Sequence, residues 1–409
     1  MSEGTNASKA APALRHTRLA VHARLRVDAR SCLPQRFAGL QCSACVDACP
    51  VGILSLRNDG WELRTGCTGC GRCAAACPTS ALVIDGFSID PAIQGPIAVD
   101  CQRVPAADSP PGAIRIPCLG GLKTSQMLKL ANHGGAELLD RGWCRDCPSG
   151  GPELPWGARL AEANILLEAV DTPLEQRLAA RLEPLPVRRR LPDSSDPANQ
   201  QPVSRRAFFT QIAGHTADAL TGSPAKQDVD TTDSPRPDGR ERIHPSERVA
   251  TLAELARMSR HTGHPLPARL FPSVRIGPNC QNHAVCARAC PTAALHVVAS
   301  GACTGVSFDA SICIACGECA RICPEQAVEF NATGNGSIPR EPLQLTRHRE
   351  AVCFDCGFRF AESIGDATRS ESEPPGSEPL CPGCRKSRQL THSLFSDLFQ
   401  NHAGQDHHP

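Results

Sequence analysis

Residues 67–78 read Cys67-Thr68-Gly69-Cys70-Gly71-Arg72-Cys73-Ala74-Ala75-Ala76-Cys77-Pro78, and the same spacing returns as Cys313-x2-Cys316-x2-Cys319-x3-Cys323-Pro324. In this pattern three thiolates hold one iron–sulfur cubane, and the fourth, before the proline, crosses to a neighbouring cluster. The short intervals keep the chain wrapped around one inorganic core. Proline then ends the turn by fixing φ and removing an N–H donor. Two copies in one chain make incidental structural cysteines a poor explanation.

Each run has a less regular partner upstream. Cys42-x2-Cys45-x3-Cys49-Pro50 lacks a cysteine three residues before Cys42, where Gly39 stands, and Cys32 is the replacement on a longer loop. In the second copy Cys280, Cys286 and Cys290 keep the spacing, but His283 occupies the second position. Over these two blocks the chain resembles bacterial-type ferredoxins that carry two [4Fe–4S] clusters. The resemblance implies a βαββαβ-like fold over two cubanes in each block, with crossed ligand sets. Cluster one takes Cys32, Cys42, Cys45 and Cys77; cluster two takes Cys49, Cys67, Cys70 and Cys73. The second block supplies Cys290, Cys313, Cys316 and Cys319 as a complete set. Its partner set is Cys280, Cys286 and Cys323 with His283 in the gap. Three readings of that gap stand: ligation by His283, recruitment of Cys303 from the Gly301–Gly305 turn, or a three-iron or labile cluster. Three to four [4Fe–4S] clusters are therefore expected.

The composition agrees with a cofactor-ordered chain. The 409 residues suggest several modules, and 43 Lys+Arg against 42 Asp+Glu demand no polyelectrolyte partner. Aromatic residues make up 4% and tyrosine is absent, while glycine (33) and proline (36) are abundant, so cores are small and metal binding must supply much of the ordering. The 24 cysteines at ligand-type spacings point to metal in a reducing compartment rather than to disulfides. No signal-like or membrane-spanning apolar stretch is evident. Ser204-Arg205-Arg206-Ala207-Phe208-Phe209 is similar to a twin-arginine export motif, but it lies mid-chain with His215 and Asp218 soon after, and reads as a capped helix start. A cytoplasmic location is expected.

Between the two blocks, residues 96–183 read as a small α/β module. Apolar runs end at Cys101 and Cys118, and a third leads to Cys144-x2-Cys147; open α/β sheets place ligands at such carboxyl ends. Helical periodicity covers Lys123 to His133, and residues 158–170 and 173–182 also read as helical. Ile116-Pro117-Cys118-Leu119-Gly120-Gly121-Leu122 and Gly142-Trp143-Cys144-Arg145-Asp146-Cys147 resemble the delta subunit of methyl-viologen-reducing hydrogenase. That resemblance implies a [2Fe–2S] centre on Cys101, Cys118, Cys144 and Cys147. It also implies electron relay within complexes of the heterodisulfide-reductase or formate-dehydrogenase kind. Zinc, or cysteines that are merely buried, remain open readings of these four residues.

Near the C-terminus, Cys353-x2-Cys356 and Cys381-x2-Cys384 form a four-sulfur set suited to Zn²⁺ or a single iron. Two facing knuckles in a ribbon are expected, and Gly357-Phe358-Arg359-Phe360 and Leu380-Cys381-Pro382 resemble rubredoxin.

The expected fold class is α+β. A disordered start (1–17) precedes ferredoxin unit 1 (18–90), the four-cysteine module (96–183) and a linker with a short helix (184–245). A helix and ferredoxin unit 2 (246–330), a linker (331–349), the ribbon (350–390) and a tail (391–409) follow. The function read from this is electron transfer to or from a redox-enzyme partner such as a formate dehydrogenase or hydrogenase-type complex. The competing reading is an assembly or scaffold factor for a metalloenzyme, with structural or sensory clusters. No dinucleotide fingerprint, phosphate loop or haem-attachment run is present, so no catalytic residue and no small-molecule substrate is expected. Nucleic-acid binding and membrane insertion are not expected either.

Overall fold

The computed structural model describes residues 25–37, 39–57, 60–64, 66–89, 95–151, 153–191, 242–334, 341–364 and 378–400, with backbone alone for 392–400. The twin-arginine-like segment, most of the 184–245 linker, the Asn58-Asp59 turn, residues 1–17 and 401–409 lie outside them. The chain divides into two compact units, residues 1–241 with 246–265, and residues 242–245 with 266–409. Helices and sheets are both present.

The first unit opens with a small block. Strand β1 (Leu25–Val27) pairs antiparallel with β4 (Leu82–Ile84), and β2 (Leu54–Arg57) pairs with β3 (Gly60–Leu63) as a hairpin. Short helices α1 (Leu33–Arg36), α2 (Ala44–Asp47) and α3 (Arg72–Ala76) connect them. The strands are too short to build a core of their own. Leu25, Leu54, Leu82 and Ile84 pack instead against Cys32, Cys45 and Cys77.

The module that follows is a parallel sheet in the order β6 (Ile114–Ile116), β5 (Ile97–Cys101), β7 (Ala136–Asp140), β8 (Leu178–Leu182). Parallel strands need a covered face, and here α4 (Thr124–Asn132) and α5 (Gly157–Ala169) provide cover. Val99, Ile116, Leu138, Met127 and Leu130 are fully buried between the layers. Residues 173–182, expected as helix, instead form a short 3-10 turn and edge strand β8. Pairing to β7 outweighs the helical preference of Leu-Ala-Ala-Arg-Leu.

Helix α6 (Ser246–Thr262) also differs from expectation, because it belongs to the first unit rather than leading into the second block. Glu247 accepts from the Ser125 N–H and hydroxyl at 2.9 and 2.8 Å, capping the start of α4. Asn132 at the other end of α4 donates to the Glu254 carboxylate at 2.7 Å.

The second unit repeats the small block. Strand β9 (Ser273–Ile276) pairs with β12 (Val328–Asn331), and β10 (Leu295–Ser300) pairs with β11 (Cys303–Phe308). Helices α7 (Val285–Ala289) and α8 (Glu318–Arg321) lie within the ligand runs and carry Cys286 and Cys319. Cys303 therefore begins a strand rather than sitting in a turn. The supposed linker 331–349 carries β13 (Leu343–Gln344) and the first residues of β14 (His348–Val352), and both strands pair with β11. Strand β15 (Arg359–Ser363) completes that sheet. The second C-terminal cysteine pair opens helix α9 (Pro382–Gln400) instead of a matching knuckle, so the region is a hairpin and helix.

Candidate iron–sulfur and metal sites

Backbone geometry repeats along the ligand runs. In the regular runs, the residues two and four after the first cysteine have positive φ: Gly69 and Gly71, then Ala315 (+55°) and Gly317. The irregular run of the second block does the same at Asn282 (+58°) and Ala284 (+56°). Left-handed backbone is costly for alanine, so its return at matching positions marks a loop whose shape is imposed by what the side chains must face. This shared winding sets His283 at the position held by Cys70 and Cys316. The residue three after each cysteine that precedes proline is also left-handed: Gly52, Ser80, Ala293 and Gln326.

The consequence is convergence. Cys49, Cys67, Cys70 and Cys73 line one cavity, and Cys32, Cys42, Cys45 and Cys77 line a second. Cys290, Cys313, Cys316 and Cys319 line a third. Each cavity takes one cysteine from the partner run, which is the crossed grouping read from the sequence.

The chemistry of these cavities suits a cationic core. Burial, then neighbouring sulfurs, push the Cys73 and Cys319 thiols up to about 12. Burial pushes Cys45 up to about 12 as well, with Cys77 and Cys42 adding to it. Iron would remove that penalty by binding thiolate directly. Backbone N–H groups already point at sulfur: Ala81 at Cys77 (3.2 Å), Leu295 at Cys290 (3.4 Å) and Ala327 at Cys323 (3.3 Å). Such donors favour the anionic ligand.

The incomplete set is Cys280, Cys286 and Cys323. Burial raises the Cys286 thiol to about 11, and both other cysteines act on it. His283 is half exposed, and its Nε2 lies 2.8 Å from Glu325 Oε1, two residues beyond Cys323. The strand geometry bears on Cys303. Side chains alternate across a strand, and Thr304 Oγ1 accepts from Asn282 Nδ2 at 2.8 Å. Thr304, not Cys303, thus faces the Cys280–Ala284 loop.

In the module, Cys101 ends β5, Cys118 follows β6, and Cys144 and Cys147 follow β7. Burial, then Cys101, Cys70 and Cys144, push the Cys118 thiol up. Burial, then Asp140, Cys101 and Cys147, push Cys144 up to about 12. Cys101 thus neighbours each of Cys118, Cys144 and Cys147. Arg103 lies among them, its backbone N–H 3.5 Å from Cys101 Sγ and its Nη1 3.5 Å from Cys147 Sγ.

The C-terminal set is tighter. Cys353, Cys356, Cys381 and Cys384 place all four sulfurs within 4.8 Å of one another, the only such group among the described residues. Cys356 Sγ and Cys381 Sγ are 3.7 Å apart. Four sulfurs about 2.3 Å from one tetrahedral ion stand about 3.8 Å apart, so this spacing fits a single ion. The Cys381 N–H reaches Cys353 Sγ at 3.2 Å, and Cys384 N–H reaches Cys381 Sγ at 3.5 Å.

No helix among the described residues is long and apolar enough to cross a membrane. No curated protein matches the chain. Residues 38–82 match the family described as a 4Fe-4S dicluster domain, and residues 306–328 match a 4Fe-4S binding domain. The chain therefore carries two 4Fe-4S binding domains, one in each compact unit.

Proposed function

We propose that this protein is a multi-cluster iron–sulfur electron carrier whose two small blocks are ferredoxin-like. The observation that carries this is the three four-cysteine cavities, each built from two ligand runs in the crossed pattern. Such clusters supply reversible one-electron chemistry. The chain contributes thiolate ligands, N–H donors to sulfur, and apolar walls such as Leu54, Leu82 and Phe308 that exclude water.

His283 is the fourth ligand of the remaining set in this reading, on the strength of the shared loop winding. The module's four cysteines hold a smaller iron–sulfur centre of the [2Fe–2S] type, and the C-terminal four hold one zinc or iron ion. The partner is a cytoplasmic redox enzyme of the formate-dehydrogenase or hydrogenase type, a reading that rests on the likeness of residues 97–151 to the delta subunit.

The test is iron, acid-labile sulfide and zinc quantification on anaerobically purified full-length protein, followed by EPR of the reduced form. About sixteen cluster irons correspond to four cubanes, and about eighteen to four cubanes with a [2Fe–2S] centre. Clusters that no low-potential donor reduces would sink the carrier reading and leave a structural or sensory role.

A further inference from the structure

In the first unit, the ligand run of one cavity and the four-cysteine module meet along bare backbone. Gly71 follows Cys70, and Gly121 lies three residues after Cys118. A Cβ on Gly71 would stand 3.2 Å from the Gly121 Cα, and a Cβ on Gly121 would stand 2.5 Å from the Cys70 carbonyl oxygen. The Phe87 ring closes over both glycines, leaving room for a side chain at neither. Gly121 has no left-handed φ to explain it, so close approach is what requires glycine there.

Other contacts fix the same junction. Arg72, inside the ligand run, donates to the Gly150 carbonyl at 2.8 Å, three residues beyond Cys147. A Cβ on Gly86 would stand 2.9 Å from the ring of Pro117, which precedes Cys118. From α4 and its N-cap, Lys123 Nζ bonds Ser80 Oγ at 3.1 Å, Gln126 donates to the Phe87 carbonyl at 2.5 Å, and Lys129 donates to the Ile89 carbonyl at 2.8 Å. The Cys70–Gly71 and Cys118–Gly121 segments are thereby held against each other from three sides.

We infer that the module site (Cys101, Cys118, Cys144, Cys147) is the direct redox neighbour of the Cys49, Cys67, Cys70, Cys73 site, with Gly121 as the positioning residue that sets their separation. This rests on the electron-carrier reading. In the step proposed, a reduced [4Fe–4S] cluster loses one electron and the module's iron–sulfur centre gains it. No covalent bond is made or broken and no proton moves. The tight junction and the absence of any side chain at Gly121 give a short protein path between the Cys70 and Cys118 ligands.

The test uses the full-length protein purified anaerobically, with iron and sulfide measured for every variant, then reduced with dithionite and examined by pulsed EPR. The expected result is splitting or several-fold faster relaxation of the module signal when the neighbouring cluster is reduced, lost in Cys73→Ser. In Gly121→Val, iron content should stay the same while that interaction weakens. Arg72→Ala, which removes one tie without crowding the junction, should weaken it less and serves where Gly121→Val does not fold. Two outcomes overturn the inference: both centres reduced yet magnetically independent, or iron and sulfide unchanged in Cys144→Ser, meaning the module holds no iron–sulfur centre. Failure of every cluster to reduce would instead overturn the carrier reading itself.

Discussion

Arg141 and Asp100 face each other inside the parallel-sheet module at 2.6 Å, with side chains only 3% and 0% exposed. The carboxylate also accepts from Ser109 Oγ at 2.9 Å and from the Cys101 N–H at 2.8 Å. The guanidinium has a second partner in Glu183, at 2.9 Å. This network fixes the end of β5 where Cys101 leaves the sheet. Breaking a buried pair strands a charge at a cost of about 3–5 kcal/mol. Arg141→Met should therefore destabilise the first unit by about that amount in denaturant titration of the metal-loaded protein. The double change Arg141→Met with Asp100→Leu should cost clearly less, and equal losses would show that packing rather than charge is at stake.

The gap in the second block separates two residues cleanly. His283→Ala should lower the iron content by about four atoms, the equivalent of one cubane. Cys303→Ser should leave iron and EPR spectrum unchanged, because β11 turns Cys303 away from the Cys280 loop. An iron loss in the serine variant would reverse the assignment. His283→Cys should keep the iron and lower the reduction potential of that site, since imidazole ligands raise it.

The C-terminal set predicts one metal ion per chain, lost with Cys356→Ser and removable by chelator without loss of sulfide. Burial alone would raise the Cys353 thiol. Hydrogen bonds from the Cys381, Cys356 and Asp355 backbone outweigh it and hold that thiol below the ordinary value. A group lowered from 9.0 to about 6 contributes stability to the folded site that is full above about 9 and is lost as pH falls to about 6. Metal retention measured against pH should therefore fall on the acid side. Retention that did not weaken on acidification would argue against thiolate ligation.

His348 offers a second pH handle. It is 2% exposed and hydrogen-bonded to the Cys280 backbone, and burial lowers its pKa from 6.5. The folded state then resists protonation, so stability declines as pH drops below 6.5 and stops declining below the lowered value. Thermal unfolding of the second unit should show that decline between pH 7.5 and 5, and His348→Gln should flatten it.

Which cysteines share a cavity was legible because thiolate spacing is a local property of the chain, and so was the α/β module, whose apolar runs each lead to a cysteine. Residues 173–182 misled because Leu174, Glu175, Gln176 and Ala179 favour helix locally while strand pairing with β7 is non-local. The docking of α6 on α4 depends on Glu247 meeting Ser125, 122 residues apart in sequence. The junction at Gly121 carried a faint signal, a Gly-Gly pair after a ligand, but only the folded chain reveals Cys70 as what it meets.

The chain path through the two units has a practical corollary. Residues 242–245 belong to the second unit, where Ile243 N–H bonds the Pro291 carbonyl at 2.8 Å and Arg242 reaches the Cys290 carbonyl at 2.9 Å. The very next residue begins a helix of the first unit. The polypeptide thus changes allegiance three times, at 241/242, 245/246 and 265/266. A truncation at 241 leaves α4 without its cap, and one at 265 strips the second unit of its anchor. A stop after residue 265 keeps every segment of the first unit, whereas recovering the second unit whole would take 242–245 grafted ahead of residue 266.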